Sequence, residues 1–123
     1  MTRKTSPRGR AAALLLPAAI SIVAAGCGRE TTSRRTISAA PVEGGTGFRP
    51  TSISVHNGDK VDLRVSNETA VVHGFDIDGY GLKSWVISPG QTQRIRFTAR
   101  RAGTFRIFCQ LHEKHQTATL RVL

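Results

Sequence analysis

The amino-acid sequence predicts an all-β domain, and three observations carry that prediction. Short runs alternate apolar and polar residues with period two, turn-forming pairs separate them, and no long stretch has helical period. KVDLRV (60–65) puts Val61, Leu63 and Val65 on one face and Lys60, Asp62 and Arg64 on the other. QRIRF (93–97) repeats the pattern, with Ile95 and Phe97 inward and Arg94 and Arg96 outward. From Thr104 to Cys109 the inward set is Phe105, Ile107 and Cys109. Turn signals fall at His56-Asn57-Gly58-Asp59, Asp78-Gly79-Tyr80-Gly81, Pro89-Gly90 and Ala102-Gly103. Short strands at such intervals indicate an antiparallel β-sandwich or barrel. His56 reads as an ordinary turn residue.

The chain has 123 residues, enough for one domain. Its first ten residues carry Arg3, Lys4, Arg8 and Arg10 with no acid, and AAALLLPAAISIVAA (11–25) follows. A basic start, an apolar run of this length and a small-residue exit fit a secretory signal. The run is shorter than the ~20 apolar residues of a spanning helix. The exit, Ala24-Ala25-Gly26-Cys27, resembles a bacterial lipobox, with Ala24 where Leu or Val is usual. The expected organisation is therefore a lipoprotein-type signal peptide over 1–26, a lipidated Cys27 with a polar tether over 27–35, and a folded domain over 36–123. Such a protein would be lipid-anchored in the cell envelope, outside the cytoplasmic membrane. Lipidation or removal of Cys27 would leave Cys109 unpaired, and a lone thiol in an oxidising compartment needs something to hold it. A Cys27–Cys109 disulfide is the alternative.

The formal charge is +10, from 18 Lys and Arg against 8 Asp and Glu. Without the four basic residues of the first ten, the remainder is about +6. Arg94, Arg96, Arg100, Arg101 and Arg106 lie close together in the chain. Export and the lack of aromatic-rich binding motifs argue against nucleic acid. Anionic lipid headgroups, an acidic partner protein or plain solvent would suit this face.

The chemistry concentrates in FRIFCQLHEKH (105–115), where Cys109, His112 and His115 fall within one short loop. Thiolate with imidazole is a donor set for copper or zinc, not for calcium or magnesium. Cys109 and His112 can converge if the chain turns sharply after the cysteine. A third ligand must come from elsewhere, and His73 in VVHGFDIDGYG, just before a glycine, is the candidate. A nucleophile–base reading of Cys109 and His112 lacks an orienting third group, so an enzyme is not expected.

Residues 48–123 resemble a cupredoxin domain through FRP…ISVHNGDKVDLRVSN, VVHGFDIDGYG, SPGQTQRIRFTARRAGTFRIFC and the Cys-x2-His that follows. They are most similar to bacterial cupredoxin-like domains related to the copper domains of cytochrome oxidase subunit II and nitrous oxide reductase. The resemblance implies a Greek-key β-sandwich with one copper ion near one end, held by His73, Cys109 and His112. A binuclear centre would need a second cysteine in the loop. The family's weak axial methionine has no counterpart, because Met1 is the only methionine. His115 falls near that position, with Gln110 and Gln116 as lesser axial candidates, and three His with one Cys would also satisfy zinc. The implied role is electron transfer to an acidic redox partner, or copper delivery to an oxidase. The alternative is a non-redox accessory or metal-uptake module.

Overall fold

The protein is described by a computed structural model over residues 30–82 and 85–123, with isolated positions 2, 9, 12–15 and 17 before them. The expected signal peptide and Cys27 lie almost wholly outside the described residues. Among those residues the fold is all-β. Its strands are β1 (Thr32–Val42), β2 (Gly45–Arg49), β3 (Ser52–Val55), β4 (Lys60–Asn67), β5 (His73–Ile77), β6 (Trp85–Ile87), β7 (Thr92–Thr98), β8 (Gly103–Phe108) and β9 (Ala118–Val122).

They form two sheets, β2-β1-β4-β7 and β3-β9-β8-β5-β6. The sheets are mixed rather than purely antiparallel, because β1 pairs parallel with β4 and β3 parallel with β9. Parallel neighbours cannot be joined by a tight turn. Here long excursions through other strands separate them in the chain, and a period-two pattern has no means of registering this.

The alternation places the core as the sequence predicts. Ile37, Val61, Leu63, Val65 and Ile95 face inward from the first sheet, and Phe75, Ile77, Ile107 and Leu120 from the second. Each such side chain contributes about 1.5–3 kcal/mol by leaving water. Phe48 closes the core edge-on against Phe75, with ring centroids 5.6 Å apart. The turns take the left-handed backbone that glycine tolerates, as at Gly58 (φ 89°) and Gly90 (φ 71°).

One boundary differs from the expectation. Residues 32–35 are not tether but the first part of β1, in register with Lys60–Leu63. Their composition is polar because this end of β1 lies beyond the buried core, with Thr32 and Arg34 exposed and Ser33 and Arg35 only half-buried. The strand is fixed by side chains instead of burial: the hydroxyls of Thr31 and Ser33 both donate to Asp59, which also accepts the His56 amide. The Ser33 and Thr31 hydrogen bonds hold the Asp59 carboxyl down at about 2, from an ordinary 3.8.

The molecule has two poles. Strand β1 begins at Thr32 beside Lys60 and Thr98, and it ends at the Glu43–Gly44 turn, where Gly44 and Gly45 share a groove with His73 and His112. Along β8 the same axis runs from Gly103 to Cys109. Among the described residues, both sheets and their shared core lie within residues 32–123, so this part carries the strands and core of one folding unit.

Candidate metal centre

Strand β8 ends at Phe108, and the chain turns at once through Gln110 and Leu111. The turn brings His112 back over Cys109, with Nδ1 3.4 Å from Sγ. His73 opens β5, adjacent to β8 in the sheet, and its Nδ1 lies 3.9 Å from the same sulfur. The donor atoms of His73, Cys109 and His112 all lie within 4.8 Å of one another. Donors about 3.5–4 Å apart suit an ion with bonds of about 2.0–2.3 Å. Cys109 is a free, buried thiol. Its sulfur accepts the Gly74 amide at 3.1 Å, so the backbone of β5 fixes the sulfur as well as the imidazole.

His73 is buried and His112 exposed. Burial, then the neighbouring His115 and His112 rings, push the His73 imidazole below its ordinary value, so at neutral pH it keeps a free lone pair. Its Nε2 is buried with no hydrogen-bond partner among the described residues. A buried unpaired nitrogen costs about 1–3 kcal/mol. It is Nδ1, the other ring nitrogen, that faces the buried Cys109 thiol, and this imidazole–thiol pairing fits a soft or borderline metal, copper and zinc both qualifying by donor chemistry.

His115 stands beside this group rather than within it. Its ring packs on Phe48 (centroids 4.4 Å apart) and edge-on to His73 (4.9 Å). Nδ1 lies 3.0 Å from the Gln116 carbonyl and must donate to it. That leaves Nε2 as the only nitrogen able to bind a metal, and it is buried without a partner among the described residues. Burial lowers the His115 pKa, while the Gln116 carbonyl bond works against that shift. Gln110 turns the other way, its amide donating to the Trp85 carbonyl at 3.0 Å and packing over Gly74. Gln116 is exposed, its amide bonded to the Glu43 carbonyl.

Two features of the site were not anticipated. The Gly74–Cys109 hydrogen bond joins positions 35 residues apart, and no local pattern announces it. Val71 and Val72, an apolar pair before His73, are exposed rather than core, and Leu111 beside His112 is exposed as well. Val71 shares a groove with His73, His112 and His115. The exposed edge of the site is therefore partly apolar.

A two-sheet β-sandwich with two histidines and a cysteine gathered at one end defines the class of cupredoxin-like domains. The chain belongs to that family: the family model for the cupredoxin-like domain matches residues 13–122. Cytochrome c oxidase subunit 2 of Thermus thermophilus is 32% identical over 63 residues, 51% of this chain and 45% of that protein. A second cytochrome c oxidase subunit 2 of the same species is equally similar, with 36% of its length covered. The match thus spans less than half of these relatives. Among solved structures, the fold is similar to auracyanin A, a "blue" copper protein from Chloroflexus aurantiacus (TM-score 0.61, 19% identity, 75% of this chain and 99% of that one). It is also similar to a purple cupredoxin from Nitrosopumilus maritimus (TM-score 0.56, 16% identity, 72% and 99%). Copper nitrite reductase from Nitrosomonas europaea matches with a TM-score of 0.62 at 21% identity, over 75% of this chain and 41% of that one.

Proposed function

We propose that this protein is an exported, mononuclear copper protein that carries electrons and is tethered to a membrane through Cys27. The observation that carries the reading is the buried Cys109 thiol, with two imidazole Nδ1 atoms and one amide N–H directed at its sulfur. His73, Cys109 and His112 would hold one copper ion, with the unpartnered Nε2 of His115 available as a further donor. Copper bound by thiolate and imidazoles cycles between Cu(I) and Cu(II) with little rearrangement. The chain's contribution is a donor set fixed by β5 and β8, which restricts how far the ligands can move when the charge changes. His112, exposed at a partly apolar edge beside Leu111 and Val71, would give electrons a short route to a docked partner.

The donor count supports a second reading. Three histidines and one cysteine are a complete set for tetrahedral zinc, which would make the protein a non-redox accessory module. A structural zinc site is usually closed, whereas His112 is open to solvent. Copper delivery uses the same residues as electron transfer.

A redox titration of the copper-loaded 28–123 fragment, followed by mixing with an apo-oxidase copper domain, separates these roles. A reversible one-electron wave with copper retained supports the carrier. Loss of copper to the apo-domain supports delivery, and absence of any wave supports the zinc module.

A further inference from the structure

The arginines near positions 94–101 do not surround the metal-site residues. They gather at the opposite pole, where β1 enters the fold. On the outer face of the first sheet, Arg34, Asp62 and Arg96 stand in one cross-strand row, and Arg64 and Arg94 in the next. Asp62 is the one acid in these rows; it is ion-paired with Arg94, and Arg96 reaches it only at 3.9 Å. Lys60 is answered by Glu30 at 2.7 Å. Around the end of the sheet, Arg96, Arg100 and Arg101 rim a cleft of about 520 Å³ floored by Tyr80, Phe97 and Phe105. The Arg101 guanidinium lies over the Phe105 ring, 5.5 Å from its centre. Segments at the metal pole instead carry Glu43, Glu68 and Glu113 against Lys114 and Arg106, and Arg106 is ion-paired with Asp78 at 2.9 Å.

We infer that this arginine pole is a docking surface for an anionic phospholipid bilayer, and that it holds the metal pole away from the membrane. The inference rests on the proposed anchoring through Cys27. Thr32, where β1 starts, lies only five positions beyond Cys27, a reach of at most about 17 Å. Whatever holds Cys27 at a bilayer therefore holds the Arg96–Arg101 cleft near the headgroups. Strand β1 then carries the chain about 33 Å toward the metal pole, at about 3.3 Å per residue. Anionic headgroups attract basic residues at the surface by about 1 kcal/mol each, so the arginines would set the domain's orientation while the lipid keeps it at the membrane. An acidic protein would satisfy the charge equally, but it would not explain why the charge surrounds the entry of the tether. The partner of the exposed His112 edge would accordingly approach from the aqueous side or stand well clear of the lipid.

The test uses the 28–123 fragment, which lacks the anchor, and sedimentation with vesicles of three parts phosphatidylcholine to one part phosphatidylglycerol. Binding is expected at low salt, absent from pure phosphatidylcholine, and weakened by high salt. At about fivefold per basic residue, R96Q/R100Q/R101Q should bind about a hundredfold more weakly, while R49Q/K114Q binds as the parent does. Hydroxyl-radical footprinting on the vesicles should protect Tyr80, Phe97 and Phe105 and leave Val71 and Leu111 reactive. Undiminished binding by the triple variant, or protection of Val71 and Leu111 instead, would overturn the inference. So would capture of the fragment by polyglutamate but not by vesicles, which would assign the pole to an acidic protein. Copper loading of the triple variant, read by its thiolate absorption, reports separately on the metal site, so failure of either reading is visible on its own. Release of the full-length protein from membranes by salt alone would remove the lipid anchor on which the orientation depends.

Discussion

The Gly74 amide donates to the Cys109 sulfur at 3.1 Å, joining the strand that presents His73 to the loop that presents His112. This bond makes β5 a support for two candidate ligands at once. The packing around it also explains the glycine after His73. A Cβ at position 74 would lie 2.2 Å from the Gln110 side-chain oxygen, within the amide that bonds the Trp85 carbonyl.

Gly74→Ala should therefore expel the Gln110 amide from its seat. The expected cost is about 1 kcal/mol, the worth of one hydrogen bond, and Gln110→Ala should cost about the same. The two changes remove the same interaction, so the double variant should be no worse than either alone. Urea denaturation of the four proteins checks this, and strictly additive losses would contradict it.

Asp59 sets an acid limit on the fold. Hydrogen bonds from Ser33 and Thr31 hold its carboxyl at about 2 against an ordinary 3.8. A depressed carboxyl contributes its stability fully above the unfolded value, and that contribution fades as pH falls from about 3.8 through about 2. Asp59→Asn should be less stable at neutral pH and show a flatter decline over that window. Denaturation midpoints between pH 7 and pH 2 would measure both, and parallel curves for the two proteins would count against the assignment.

Phe48 joins the core to the site, packing on Phe75 on one side and His115 on the other. Phe48→Ala should cost about 3–5 kcal/mol and free the His115 ring. If His115 is the axial donor, the copper spectrum of this variant should move toward that of His115→Ala. A destabilised protein with an unchanged spectrum would separate His115 from the metal.

Leu111 is 48% exposed, so Leu111→Glu should leave stability within about 0.5 kcal/mol. A charge beside His112 should instead slow electron exchange with a partner docking on the apolar edge. Stopped-flow oxidation of the reduced copper protein by a small protein acceptor reads this directly. An unchanged rate would place the docking surface elsewhere.

Much of this was legible in the chain, for definite reasons. Alternation in 60–65 and 93–97 locates β4 and β7 because each has one wet face and one dry face. Cys109 and His112 lie so close in sequence that a single turn unites them. Residues 32–35 resisted because a polar strand edge and a polar tether have the same composition, and only pairing with Lys60–Leu63 tells them apart. The parallel pairings, the Gly74–Cys109 bond and the segregation of arginines to one pole depend on long-range topology that short windows do not contain.

Titration of the 28–123 fragment with Cu(II), recording visible absorption and EPR together, bears most directly on the copper reading. An intense thiolate-to-copper band that saturates at one copper per chain is expected. The band should vanish in Cys109→Ser and weaken sharply in His73→Ala. Absence of the band, with copper merely oxidising the thiol while zinc binds tightly, would contradict the redox reading and leave the non-redox module in its place.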